Sequence, residues 1–205
     1  MKKQARWVVV FDLWWVICRE ISFLESFFGN TQISTQQKKQ LMKILSRSQE
    51  WYTDWVLFWN YMSSIVPIST SSQELKNKHI ELICKNIDSE ILKIIQLLHT
   101  HYRIVLATNS WSFILEELLI KFNLDSFIDD FVTSFDLWCR KPNWLFFKEI
   151  YKITNIYQNV IYFDDKKDNI RVANQLGIKS VLFDLNIHSS NDLLYLLNKN
   201  GFKIL

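Results

Sequence analysis

Hydrophobic and polar positions change their period along this chain. Residues 7–11, Trp-Val-Val-Val-Phe, are apolar on both faces of an extended backbone. A run this short and rich in Val and aromatics predicts a buried strand of a parallel sheet. A single acid, Asp12, ends it, followed by Leu13, Trp14 and Trp15. Between residues 17 and 85 the spacing is helical, with no strand alternation. Ile21, Leu24 and Phe28 share one helix face before a break at Gly29-Asn30, and Leu41, Ile44 and Leu45 repeat the spacing. Trp55, Phe58, Trp59 and Met62 follow the i, i+3, i+4, i+7 pattern, which marks these aromatics as helical core. Pro67 and the polar run 69–73 then punctuate the chain.

From Asp88 onward helix and strand alternate. Ile91, Ile94, Ile95 and Leu98 predict a helix, and Arg103–Ala107 a strand ending at Thr108, Asn109 and Ser110. Ile114, Leu118, Leu119 and Phe122 predict the next helix, and Phe131–Ser134 a short strand. Arg140-Lys141-Pro142 precedes a helix over about 143–152. Val160–Phe163 is a strand ending at Asp164 and Asp165. A helix near 167–176 stops at Gly177, a predicted C-cap. Ser180–Phe183 is the last strand, and a helix near 191–199 closes the chain. Strands separated by helices imply a parallel sheet with right-handed crossovers.

At 205 residues the chain can bury a sizeable core, and one domain with an insertion is the natural division. Hydrophobic residues make up 49% and charged residues 22%, as in ordinary globular proteins. A net charge of +3 with scattered basic residues gives no basic patch of the kind nucleic acid requires. No apolar run reaches the length of a membrane helix. The apolar stretch after Lys2, Lys3 and Arg6 imitates a secretion signal, but Asp12 interrupts it. Three well-separated cysteines, Cys18, Cys84 and Cys139, have no metal-type spacing and suit a reducing, cytoplasmic compartment. With only 3 Gly and 2 Pro, turns must rely on Asn, Asp and Ser.

The candidate chemistry lies at strand ends. In open parallel sheets, ligands bind outside the carboxyl ends of the strands. Asp12, Thr108-Asn109 and Asp164-Asp165 occupy three such ends, and Lys141 lies just past a fourth. Each group alone has a plainer reading: Asp12 as the cap of a turn, Thr108-Asn109-Ser110 as a helix N-cap, Arg140-Lys141-Pro142 and Asp164-Asp165 as solvated turns. Asp129-Asp130 reads as a solvated turn, and His79, His99, His101 and His188 as structural or surface residues. Together the first four groups supply a carboxylate nucleophile, a hydroxyl-amide cradle, a cation and an acidic pair. Those are the parts of phosphoryl transfer with magnesium, which takes oxygen ligands.

At these residues the chain resembles the haloacid dehalogenase-like (HAD) hydrolase superfamily. The four stretches are Val10–Ile17, Leu106–Ser110, Arg140–Pro142 and Phe163–Asn169. Thr108–Trp111 and Asp164–Gly177 look most like the helical-cap branch that includes the N-terminal phosphatase domain of soluble epoxide hydrolases. The resemblance implies an α/β, Rossmannoid three-layer fold with a central parallel sheet and an inserted α-helical cap. Residues 1–16 and 86–205 would form the core domain and 17–85 the cap. Asp12 would be nucleophile and magnesium ligand, with Trp14 adding a main-chain carbonyl and Asp165 a carboxylate. Asp164 would be a further ligand or a neighbour supporting the ligands, with Asn169 orienting the acidic pair. Thr108 and Asn109 would hold the phosphate of a small phosphorylated molecule, and Lys141 would neutralise it.

One departure bears on activity. Phosphatases of the superfamily commonly carry Asp, then Gly, where this chain has Trp14 and Trp15. That Asp serves as general acid and base, worth about 10²–10⁴ in rate. The readings are a magnesium-dependent phosphatase, slow for want of this acid; an inactive descendant that binds a ligand or partner; and a carbon-halogen hydrolase. Asp164-Asp165 argues against the last, since dehalogenases of the superfamily work without metal.

Overall fold

The computed structural model describes residues 7–19, 28, 32–67 and 70–203. The helix face expected from Ile21 and Leu24, and the Gly29-Asn30 break, lie outside these residues. β1 (Trp7–Phe11) is followed by α1 (Thr35–Arg47), α2 (Trp55–Ile65) and α3 (Ser72–Asn86). Then come α4 (Ser89–His99), β2 (Arg103–Thr108), α5 (Ser112–Phe122), a 3₁₀ turn (Leu124–Ser126) and β3 (Asp130–Thr133). A single helical turn, α6 (Ser134–Leu137), leads to α7 (Trp144–Thr154), β4 (Asn159–Asp164), α8 (Lys167–Gln175), β5 (Ser180–Leu182) and α9 (Ser190–Lys199).

Among the described residues all five strands are parallel, in the order β3-β2-β1-β4-β5, so β1 is central. Val10 pairs in register with Val105 on one side and Tyr162 on the other. Because side chains alternate along a strand, the sheet has two buried faces. Val9, Phe11, Ile104, Leu106, Ile161 and Phe163 pack with Ile91, Ile95, Leu98, Ile114, Leu118 and Leu193 of α4, α5 and α9. Val8, Val10, Val105, Ala107 and Tyr162 pack with Phe146, Phe147, Ile150 and Ala173 of α7 and α8. This is a three-layer α/β fold of Rossmannoid type, with a helical cap region inserted after β1. Each fully buried Val or Phe contributes about 1.5–3 kcal/mol, which fixes β1 at the centre of the molecule.

With little Gly or Pro, polar side chains do the capping. Ser34 and Gln37 form a reciprocal capping box on α1, while Asp54, Ser71, Asp88 and Asn143 cap α2, α3, α4 and α7. Left-handed backbone falls on Trp15 (φ 61°), Asn123 (φ 49°) and Trp138 (φ 54°), as well as on Gly177. The expected solvated turn at Asp129-Asp130 is corrected. Asp130 opens β3 and pairs with Arg103 at 2.6 Å, while an Asp129 oxygen accepts from Ile104 N at 2.8 Å. Two acids at a strand start find the donors that the neighbouring strand offers.

The segments leaving and re-entering the core run side by side: Arg19 N donates to Asn86 O at 3.0 Å and Asp88 N to Ile17 O at 2.9 Å. The cap region meets the core through Trp111 Nε1 on Ser48 Oγ (2.8 Å) and Ser112 Oγ on Thr53 O (2.9 Å). Trp55 packs edge-on against Phe113, and Arg140 bonds Ser46. No helix among the described residues is long and apolar enough to cross a membrane.

Candidate active site

Strand parity assembles the site. Asp12 follows Phe11, and its N–H continues the ladder onto Phe163 O at 2.9 Å. Its side chain therefore falls on the face of Val8 and Val10, and Asp164 falls on the face of Tyr162. Lys141 reaches this face from the loop between α6 and α7; its peptide bond to Pro142 is cis. Lys141 Nζ lies 2.9 Å from Asp12 Oδ1 and 2.8 Å from Asp164 Oδ2. It also donates to Ala107 O at 2.8 Å and stands 3.1 Å from the Tyr162 hydroxyl. The side chains of Lys141, Asp12 and Asp164 are 1%, 5% and 0% exposed, so these charges compensate one another with little help from water.

The surrounding loops are bonded to each other. Asn109 Oδ1 accepts from Lys141 N at 2.9 Å, and Asn109 Nδ2 donates to Lys141 O at 3.1 Å. The Asn109 carbonyl accepts the indole N–H of Trp14 at 3.0 Å. Asp164 accepts from Asn169 Nδ2 at 2.9 Å on both oxygens, from Lys166 N at 2.8 Å and from the Tyr162 hydroxyl. Asp165 is half-buried, and its Oδ1 is enclosed with no hydrogen-bond partner among the described residues; the same holds for Thr108 Oγ1 at the end of β2. Carboxylate oxygens of Asp12, Asp164 and Asp165 lie within 4.8 Å of one another.

One lysine facing this many acids sets the electrostatics. Burial pushes the Asp12 carboxyl up to about 7; Lys141 opposes the shift, and the charge on Asp164 adds to it. Burial also works on Asp164, but Lys141 and the hydrogen bonds outweigh it and hold its pKa below the usual carboxylate value. Desolvation works against the Lys141 ammonium, yet Asp12 and Asp164 prevail and raise its pKa. Burial brings Asp165 up to about 6, against the pull of Lys166. The buried ion pair therefore lies chiefly between Lys141 and Asp164, while Asp12 and Asp165 gain from any added positive charge.

Of the positions expected from sequence, Asp12, Lys141, Asp164 and Asn169 are joined by direct contacts or through Asp164, and Asp165 completes the carboxylate cluster. Asn109 spends its side chain on the Lys141 main chain. Trp14 is 8% exposed and fills space with its indole bonded, rather than standing open to a ligand. The sequence reading missed Tyr162. Its signal was available, because residues 162 and 164 of one strand share a face and a hydroxyl stands out in an apolar run.

No curated protein matches the chain in sequence. Among solved structures, an enzyme from Bacteroides thetaiotaomicron, determined with magnesium and inorganic phosphate, aligns with TM-score 0.73 and 18% identity, covering 90% of this chain and 97% of its own. A predicted HAD-like family hydrolase from Porphyromonas gingivalis aligns with TM-score 0.72 and 22% identity over 93% of this chain and 97% of its own. A dehalogenase aligns with TM-score 0.62 and 15% identity over 94% and 97%. At these identities the likeness is one of fold. In sequence, the model of the haloacid dehalogenase-like hydrolases matches residues 20–183, beginning beyond β1. With most of its length so matched, the chain belongs to the haloacid dehalogenase-like hydrolase family.

Proposed function

We propose that this chain is a magnesium-dependent phosphatase, acting on a small phosphomonoester through an aspartyl-phosphate at Asp12. The observation that carries this is the buried Lys141 ammonium 2.9 Å from Asp12, beside three carboxylates within 4.8 Å of one another. Three clustered acids and an enclosed, unpartnered Asp165 oxygen fit a hard divalent cation. Asp12, Asp165 and the main-chain carbonyl of Trp14 would hold magnesium, which when bound supplies positive charge to the phosphoryl oxygens. The Bacteroides thetaiotaomicron structure, holding both magnesium and phosphate on this fold, supports the pairing.

Asp12 in its ionised form attacks phosphorus, and the bond to the leaving oxygen breaks. Water then attacks phosphorus of the aspartyl-phosphate, releasing phosphate and restoring Asp12. Lys141 neutralises the phosphoryl group, and the Thr108 hydroxyl, without another partner among the described residues, donates to it. Asn109 holds the phosphate through its loop, and its side chain fixes the Lys141 main chain. Asp164 and Asn169 keep the lysine in place. Residues 17–85 act as the cap and 1–16 with 86–205 as the core, a division supported by the hydrogen bonds that join residues 17–19 to 86–88. The Thr108–Trp111 and Asp164–Gly177 stretches support the helical-cap branch that includes the phosphatase domain of soluble epoxide hydrolases. Three cysteines far apart in the sequence, Cys18, Cys84 and Cys139, support a reducing, cytoplasmic setting.

A second reading, an inactive binding protein, draws support from Trp14, whose buried indole occupies the position of a proton-transfer acid. A phosphate-release screen over a panel of phosphomonoesters, with and without magnesium, separates the two. Magnesium-dependent release that Asp12→Asn abolishes supports the phosphatase. Absence of release across the panel by a protein that still binds inorganic phosphate favours the binding protein.

A further inference from the structure

We propose that Tyr162 is a positioning residue that frees Lys141 to engage a phosphoryl group. The proposal rests on reading the site as one that binds phosphate. An ammonium carries three N–H donors and no acceptor. Around Lys141 Nζ stand four acceptors: Ala107 O at 2.8 Å, Asp164 Oδ2 at 2.8 Å, Asp12 Oδ1 at 2.9 Å and the Tyr162 hydroxyl at 3.1 Å. The lysine is thus oversubscribed, and a phosphoryl oxygen must displace one of them.

Displacing Ala107 O would strand a buried carbonyl, and displacing a carboxylate would strand a charge, both costly. Tyr162 changes that balance. It is the most distant of the four, and its hydroxyl donates to Asp164. When Lys141 turns an N–H from the phenol oxygen to the substrate, the phenol still has its own hydrogen bond. When Lys141 turns from Asp164 instead, Tyr162, Asn169 and Lys166 N remain as its donors. Without the hydroxyl, three donors face three acceptors and Asp164 keeps only Asn169 and Lys166 N when the lysine leaves it, so the lysine is held more tightly against the protein. The plainer account is that a buried tyrosine has satisfied its hydroxyl on the nearest acid. That account expects a loss of stability alone.

The test compares wild type and Tyr162→Phe. Inorganic phosphate binding is measured calorimetrically with magnesium present, beside kcat and KM for an aryl phosphate and the melting temperature. We expect the Phe variant to weaken phosphate binding and raise KM by about tenfold or more, the scale of one hydrogen bond to a charged group. With uniform binding lost, kcat changes little. Equal phosphate affinity in the two folded proteins overturns the role of Tyr162 and leaves the phosphate site standing. Wild type that neither binds phosphate nor turns over the ester overturns both. Should Tyr162→Phe fail to fold, 3-fluorotyrosine at position 162 serves instead: its ¹⁹F resonance is expected to move on adding phosphate, and an unmoved resonance with phosphate bound overturns the proposal.

Discussion

The indole Nε1 of Trp14 donates to the main-chain carbonyl of Asn109 at 3.0 Å, and the Asn109 side chain in turn holds both main-chain groups of Lys141. A residue two positions past Asp12 therefore reaches the site lysine through a single loop. Trp14→Phe keeps an aromatic ring but removes this donor and leaves the Asn109 carbonyl short of one partner. We expect a loss of about 1 kcal/mol in urea unfolding, with an unchanged m-value. Unaltered stability would mean that water or another donor replaces the indole.

His79 makes stability depend on acid. Its side chain is buried in α3, and burial pushes its pKa down to about 4. An unfolded histidine titrates near 6.5. Between these values the unfolded chain takes up a proton that the folded chain refuses, so stability rises with pH across the window. The contribution of neutral His79 is complete above pH ~6.5 and is lost as pH falls toward 4, by up to roughly 3 kcal/mol. Asp12 and Asp165, raised by burial, act in the opposite sense over the same window, so the His79 contribution is read as a difference. In denaturant unfolding from pH 7 to 4, wild type should lose more stability on acidification than His79→Leu, by up to roughly 3 kcal/mol.

Asp165 should trade stability for metal binding. Its folded pKa of about 6 exceeds the usual 3.8, chiefly through burial. Ionising it thus costs the metal-free fold stability as pH rises through 6. Discounted for its partial exposure, the cost is about 1 kcal/mol. Asp165→Asn should therefore melt higher than wild type at pH 8 without metal, and lose most of its magnesium affinity by calorimetry. A variant that binds magnesium as tightly as wild type would remove Asp165 from the ligand set.

Much of this was legible in the chain because parallel strands write their burial plainly. Val8, Val9 and Val10 are apolar on both faces, and Asp12 marks the strand end by its charge. The helices between strands follow from spacing alone, and the scarcity of Gly and Pro leaves the turns to Asn, Asp and Ser, while the particular caps at Ser34, Asp54 and Ser71 emerge only in the fold. Pairings across the fold were not legible. The contact of Trp14 with Asn109 spans 95 positions, and nothing local in either residue announces it. Tyr162 does not stand out because its strand is otherwise apolar, although its parity with Asp164 is visible in the sequence. The left-handed backbone at Trp15 also escaped reading, since nothing in a tryptophan suggests a positive φ.

Trp15 and Trp14 together give the sharpest test of activity. Trp15 sits at φ 61°, with its N–H on Cys18 O at 2.7 Å and its carbonyl accepting from Leu185 N at 2.8 Å, so the turn is pinned on both sides. A left-handed conformation costs a residue with a Cβ about 1–2 kcal/mol and glycine almost nothing. Trp15→Gly should recover part of the packing it loses, and so be tolerated better than a buried Trp truncation, which costs about 3–5 kcal/mol. Trp14 is the buried one, so Trp14→Asp should destabilise more. On the proposed mechanism, Asp12 of the wild type still takes a phosphoryl group from an ester with a good leaving group, which needs little protonation. Breakdown of the aspartyl-phosphate is then slow, for want of a base to activate water. Trp14→Asp should raise turnover of an aryl phosphate by up to about 10²–10⁴, and the Trp14→Asp, Trp15→Gly double variant should do better by relaxing the turn that carries the new acid. Magnesium-dependent hydrolysis is measured beside circular dichroism and melting, so that activity is compared only between folded proteins. Folded variants no more active than wild type would show that a missing acid does not limit this chain, and would move the binding protein ahead of the phosphatase.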